Sequence, residues 1–120
     1  MATDKTNLRW YQYRRKSLSK GLTFCTKDEL KIFFKTEKIC EYCLIPEEKI
    51  KIVYPDIRVK VMTVDRKDNK KGYIINNICW SCFPCNMIKS HLLSNKDMKE
   101  IGKKYIYPKW NNILKEIKTV

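Results

Sequence analysis

The hydrophobic pattern of this chain changes period several times. Over residues 6–19, aromatic and aliphatic positions are mixed among Arg9, Arg14, Arg15 and Lys16, a spacing that predicts an amphipathic, cationic helix ended by Gly21. A short extended piece over 22–25 follows. Thr26, with Asp28 and Glu29 behind it, then predicts a second helix whose hydroxyl cap and acids suit its positive end, and which stops before Cys40. From Lys49 to Val64, β-branched and charged residues alternate on both sides of Pro55-Asp56, which predicts two half-buried strands joined by a tight turn. A polar, Gly-containing loop over 65–77, a short strand at 77–80 and a helix over 81–93 come next, in the order strand, loop, strand, helix. Residues 95–118 read as two short helices broken at Pro108, with Met98, Ile101, Ile106, Trp110, Ile113 and Leu114 turned inward. The expected class is α+β.

Composition narrows the function. The 120 residues suit one domain; 43% hydrophobic and 12% aromatic content, with three glycines and four prolines, exclude a disordered or linker-rich chain. A domain of this size buries only about two-thirds of its unfolded surface, so a covalent or metal staple would help it. No apolar run approaches the ~18 residues of a membrane span, and the N-terminus carries no signal-peptide core. The expectation is a soluble, intracellular protein of the cytoplasm, or of a nucleus or virus if its host is eukaryotic or viral, with no membrane partner. Twenty-six Lys+Arg against thirteen Asp+Glu give a net charge of +13, which attracts polyanions and makes nucleic acid the leading partner. The bland account of the same charge is lysine-rich usage in an A+T-rich genome.

Six cysteines in a chain without an export signal point to metal binding or free thiols rather than disulfides. Cys40-x2-Cys43 and Cys82-x2-Cys85 form two knuckles of the spacing that presents four thiolates to one tetrahedral zinc. A register using Cys79 and Cys82 is the alternative, although Cys79 in the strand-like Ile78-Cys79-Trp80 packs more simply as a small hydrophobe. Cys25 stands alone beside Phe24 and reads as a buried, unreactive thiol.

Around these knuckles run Cys40-Glu-Tyr42-Cys43, Val64-Asp65-Arg66, Gly72-Tyr73 followed by Asn77, and Cys82-Phe-Pro-Cys85-Asn86-Met-Ile-Lys89-Ser. In this order they resemble the HNH (ββα-metal, or His-Me finger) endonucleases, and within them the restriction-type members in which Asp-Arg replaces Asp-His. The resemblance covers residues 37–102 and weakens toward the N-terminus. It implies one HNH nuclease domain over 1–120: a basic helical segment over 1–36, a zinc and ββα-metal core over 37–102, and a C-terminal helix over 103–120. It also implies a catalytic divalent ion, Mg2+ or Mn2+, held by Asp65 and Asn86, whose hard oxygens suit such an ion.

The roles that follow each have a plainer counterpart. Arg66 stands where most members have the histidine that activates water; arginine cannot act as a base, but it can grip the scissile phosphate. Tyr42 is then the first candidate for base or nucleophile, against a ring merely packed beside the zinc. Asn77 matches the middle Asn that braces the loop, with Asn76 as the register alternative. Asp68 and Asn69 suit turn roles, and His91, the sole histidine, a helix-end position. Arg9, Arg14, Arg15, Lys16, Lys67, Lys70, Lys71 and Lys89 are expected to contact DNA phosphates, against a solvated charged face. Many restriction-type members pair as homodimers to cut two strands, which leaves a homodimer open here, but no surface in this sequence announces a dimer face. The expected function is an endodeoxyribonuclease using one divalent ion; the competing one is a non-catalytic, zinc-stapled nucleic-acid-binding protein on the same scaffold.

Overall fold

The structure, a computed structural model, describes residues 6–19 and 24–118, without the side chains of residues 6–9, 13, 17, 19 and 118. The expected helix end at Gly21 and the side chain of Arg9 lie outside the described residues. The chain divides into two compact units, Met1–Glu37 with Arg66–Ile78, and Lys38–Asp65 with Cys79–Val120.

In the first unit, α1 (Thr6–Ser19) and α2 (Lys27–Phe34) pack together. Thr26 caps α2 as the sequence predicts: its hydroxyl accepts from the Glu29 amide at 3.1 Å while the Glu29 carboxylate accepts from the Thr26 amide at 2.9 Å, a reciprocal capping box. Leu30 is the buried residue of this helix. Trp10 anchors α1 by donating its indole N–H to the Cys25 carbonyl at 2.8 Å, with its ring edge-on to Phe24. Phe24 bridges Tyr73, and the Cys25 amide donates to the Tyr73 carbonyl, so the loop after residue 66 joins the same small core. That loop ends in a 3-10 turn, Ile75–Asn77.

The second unit opens with a knuckle over 39–46, and here the expected hairpin over 49–64 is replaced. Glu47–Val53 forms α3, and only Thr63–Arg66 is a strand, β1. Ile50, Ile52 and Val53 suggest a strand by residue type, but Pro46 followed by Glu47 and Glu48 starts a helix, and burial of Ile50 and Val53 three residues apart sustains it. Glu47 then accepts from the Met62 amide at 2.8 Å, bringing the chain back toward β1.

β1 pairs with β2 (Ile78–Ser81) in a two-stranded sheet, and α4 (Phe83–Lys89) follows, which is the ββα order expected. Contacts of Thr63 with Ser81 and of Lys67 with Asn77 set an antiparallel register that puts Asp65 opposite Cys79. α5 (Asn95–Ile101), a π-helical turn (Gly102–Ile106) and α6 (Tyr107–Lys118) complete the unit. Pro108 does not break this last helix as predicted. A π-helical turn lies just before it, and Pro108 is the second residue of α6, where its missing N–H costs the helix least. Met98, Ile106 and Trp110 are buried as expected. No helix among the described residues is long and apolar enough to cross a membrane.

Candidate active site

Four thiols meet in the second unit. The Sγ atoms of Cys40, Cys43, Cys82 and Cys85 all lie within 4.8 Å of one another, and all four residues are fully buried. Cys43 and Cys82 approach to 3.6 Å, close to the ~3.8 Å edge of a tetrahedron with zinc–sulfur bonds of about 2.3 Å. The cluster brings Cys82 and Cys85 together with the first knuckle and leaves Cys79 outside it. The first knuckle is closed by hydrogen bonds from the Leu44 amide to Cys40 O and from the Cys40 amide to Ile45 O, both 3.0 Å, with Leu44 held at φ 66°. Cys82 is the N-cap of α4, Pro84 occupies its first turn and Cys85 lies one residue further on. Hydrogen bonds from its three neighbours hold the Cys40 thiol far below its ordinary range, while bonding to Cys40 pushes Cys82 and Cys85 up. A metal ion bound here would take the sulfurs as thiolates and displace the protons they carry. The four thiols are a donor set for a soft or borderline ion such as zinc.

The helix bearing the second knuckle also carries the next site. Cys82, Cys85, Asn86 and Lys89 recur at 0, 3, 4 and 7, which places them on one face of α4; across from it, Thr63 and Asp65 share one face of β1 because strand side chains alternate. The contacts follow that register: Asn86 Nδ2 donates to Thr63 Oγ1 at 3.1 Å, and Lys89 Nζ lies 3.3 Å from Asp65 Oδ2. Thr63 spends its own proton on the Ser81 carbonyl at 2.8 Å. It must therefore accept from Asn86, which fixes the amide with Oδ1 turned away from Thr63.

Tyr42 reaches the same carboxylate from the first knuckle. Its hydroxyl donates to Asp65 Oδ2 at 2.5 Å and lies 3.6 Å from Cys79 Sγ, while Asn95 Nδ2 approaches it at 3.5 Å. Burial, then the hydrogen bond to Asp65, raise this phenol well above its ordinary range. In this arrangement Tyr42 is a proton donor that orients Asp65. Asp65 Oδ2 is thus occupied by Tyr42 and Lys89, while Asp65 Oδ1 and Asn86 Oδ1 have no hydrogen-bond partner among the described residues. Two oxygen acceptors without donors are what a hard divalent ion requires, and the residues fit one.

The C-terminal layer holds Tyr42 in place, which sequence reasoning missed. Gly102 lies so close to the first knuckle that a Cβ there would collide with the Tyr42 carbonyl and come within 3.0 Å of the Cys43 amide nitrogen. Trp110 donates its indole N–H to the Cys43 carbonyl at 2.8 Å.

Of the remaining expected residues, all but Lys89 and His91 lie in the first unit. Arg66 is buried; its guanidinium donates to the carbonyls of Asn69 and Lys71, both 3.3 Å, and lies 5.2 Å from the Tyr73 ring centre. Asn77 is the brace of that loop: Oδ1 accepts from the Asp68 amide at 2.9 Å, and Nδ2 donates to Asp68 O at 3.0 Å and Gly72 O at 2.9 Å. Asn76, the register alternative, is exposed, and Asp68 makes a turn with the Lys70 amide. Arg14, Arg15, Lys16, Lys70 and Lys71 are exposed and Lys67 is half-buried. Lys89 is the correction in this group: expected on a DNA-facing surface, it is fully buried because it is the counter-ion of Asp65. His91 is exposed just beyond α4.

A two-stranded sheet followed by a helix, with paired cysteine knuckles and an Asp and Asn on facing surfaces, has the architecture of the HNH, or ββα-metal, fold. The structure of the rare-cutting HNH restriction endonuclease PacI is similar to this chain, with a TM-score of 0.76 over 93% of this chain and 83% of that one, at 24% sequence identity. No protein-family model and no curated protein matches the sequence.

Proposed function

We propose that this protein is a zinc-stapled endonuclease that hydrolyses DNA phosphodiester bonds with one divalent ion, Mg2+ or Mn2+. The observation that carries the reading is the pair of oxygens on Asp65 and Asn86 left without donors, on facing surfaces of β1 and α4 and directly beyond the four-cysteine cluster. The likeness to PacI supports it. Zn2+ is the ion proposed for Cys40, Cys43, Cys82 and Cys85.

A bound divalent ion would polarise the scissile phosphate and stabilise the departing oxygen. The chain's own part is positional. Tyr42 and Lys89 hold Asp65 through one oxygen, Thr63 turns the Asn86 carbonyl outward, and Arg66 and Asn77 stiffen the loop of the first unit. With the phenol proton committed to Asp65, water is the proposed nucleophile. DNA is the proposed partner of the basic residues on α1 and the loop: Tyr11, Arg14, Arg15 and Leu18 line a groove there, and Arg14 and Lys27 both lie against the Trp10 ring.

One observation favours the second reading, a non-catalytic nucleic-acid-binding module. The Lys89–Asp65 ion pair already neutralises the carboxylate an ion would use. Supercoiled plasmid separates the two. The nuclease nicks or linearises it when Mg2+ or Mn2+ is added and not in EDTA; the binding module retards the plasmid on a gel and leaves it intact with either ion.

A further inference from the structure

Lys89 has no place in an oxygen ligand set, yet it pairs with the carboxylate that would supply one of the oxygens. Its side chain is fully buried, on the α4 face that carries Asn86, with Nζ 3.3 Å from Asp65 Oδ2. Lysine is almost never fully buried without a partner. Here the formal charges are −1 on Asp65, +1 on Lys89 and zero on Asn86 and Tyr42, so the pocket is neutral before any ion arrives. The four cysteines are the only group of three or more His, Cys, Asp or Glu side chains able to hold an ion among the described residues, so no second carboxylate joins Asp65 in such a group.

A divalent ion entering at Asp65 Oδ1 raises this pocket to a charge of +2, beside a resident ammonium on the same carboxylate. Uncompensated charge in a buried setting is strongly unfavourable. Something outside the ligand set must neutralise it, and a phosphodiester is the anion that the proposed substrate presents.

We propose that Lys89 is a built-in counter-cation that makes divalent-ion binding at Asp65 conditional on a DNA phosphate, so that ion and phosphodiester bind together and each binds weakly alone. This rests on the nuclease reading of the site. By linkage, whatever factor the phosphate adds to ion affinity, the ion adds to phosphate affinity. Lys89 is in these terms a positioning residue: it fixes one oxygen of Asp65, leaves the other to the ion, and sets the charge that the substrate must balance.

The test is Mn2+ binding followed by electron paramagnetic resonance on the zinc-loaded full chain, alone and with a hydrolysis-resistant phosphorothioate duplex; Asp65→Ala defines the background from ions on DNA. Wild type is expected to bind Mn2+ at least about tenfold tighter with the duplex than without it, and Lys89→Met to bind Mn2+ without DNA about tenfold tighter than wild type, because the like charge is gone. Lys89→Arg keeps the wild-type pattern. Equal or weaker DNA-free Mn2+ binding by a folded, zinc-replete Lys89→Met protein overturns the proposal. So does a wild-type affinity that the duplex leaves unchanged, a result that does not depend on how any variant folds. If Asp65-dependent Mn2+ binding is found but ignores both DNA and Lys89, only this inference falls. If no form shows an Asp65-dependent site with or without the duplex, the nuclease reading falls with it.

Discussion

Replacing Gly102 by alanine tests how Tyr42, the residue that orients Asp65, is held. Gly102 has helical backbone angles, φ −60° and ψ −44°, so by intrinsic propensity alone alanine should gain about 1 kcal/mol. The new methyl group, however, collides with the Tyr42 carbonyl and meets the Cys43 nitrogen at 3.0 Å. Both obstacles are backbone, tied down by the neighbouring cysteines and by the Trp110 hydrogen bond to Cys43. They cannot rotate aside as a flexible side chain would. Overpacking costs about 1–3 kcal/mol and occasionally more, and a collision with fixed backbone atoms puts this site at the upper end of that range, above the propensity gain. We expect Gly102→Ala to lose about 2 kcal/mol net, a fall in Tm of roughly 10 °C for a domain of this size. Thermal unfolding by circular dichroism on protein of equal zinc content measures it. An alanine variant as stable as wild type, with its zinc retained, would refute the clamp between the π-helical turn and the first knuckle.

Chelation of the four-cysteine site should unfold the second unit, and Cys85→Ser should purify with little zinc; because protons compete for the thiolates, zinc release should also grow as pH falls. Zinc assay with far-ultraviolet circular dichroism checks both. Asn77→Ala removes three hydrogen bonds to the 68–72 loop, and should cost about 2–4 kcal/mol because backbone groups lose their partners. Denaturant unfolding gives the magnitude, and hydrogen exchange should show lost protection in that loop with zinc unchanged. Cys25 is buried, and burial followed by the nearby Glu29 charge pushes its thiol up, so less thiolate is present at any given pH. It should alkylate in the native protein far more slowly than in urea, by mass spectrometry at pH 8.

The parts legible in the sequence are those with local signals. The Thr26 cap, the two cysteine knuckles and the strand–loop–strand–helix order each depend on residues a few positions apart. Asn77 was legible for the same reason: it closes a loop that begins only nine residues earlier. The hairpin expected over 49–64 failed because β-branched residues there suggested a strand, while the helix depends on a start at Pro46-Glu47-Glu48 and on burial three residues apart. Pro108 misled because it is the second residue of α6, just after a π-helical turn that has no clear sequence signature. Lys89 and Gly102 were illegible for a different reason. Their partners, Asp65 and the Tyr42 carbonyl, are distant in sequence, and lysine and glycine ordinarily signal surface and turn. The recurrence of Cys82, Cys85, Asn86 and Lys89 on one helical face was the available signal for Lys89. It would have suggested that this lysine turns inward with the cysteines rather than outward to DNA.

The central claim is that Asp65 and Asn86 together hold the ion that cuts DNA. The most direct measurement is a cleavage time course on plasmid DNA in Mg2+ and in Mn2+, comparing wild type with Asp65→Ala and Asn86→Ala at matched zinc content and matched DNA affinity. The account predicts metal-dependent cleavage by wild type, with both variants slower by at least about a hundredfold. Wild-type rates in both variants, or cleavage that persists undiminished in EDTA, would contradict it.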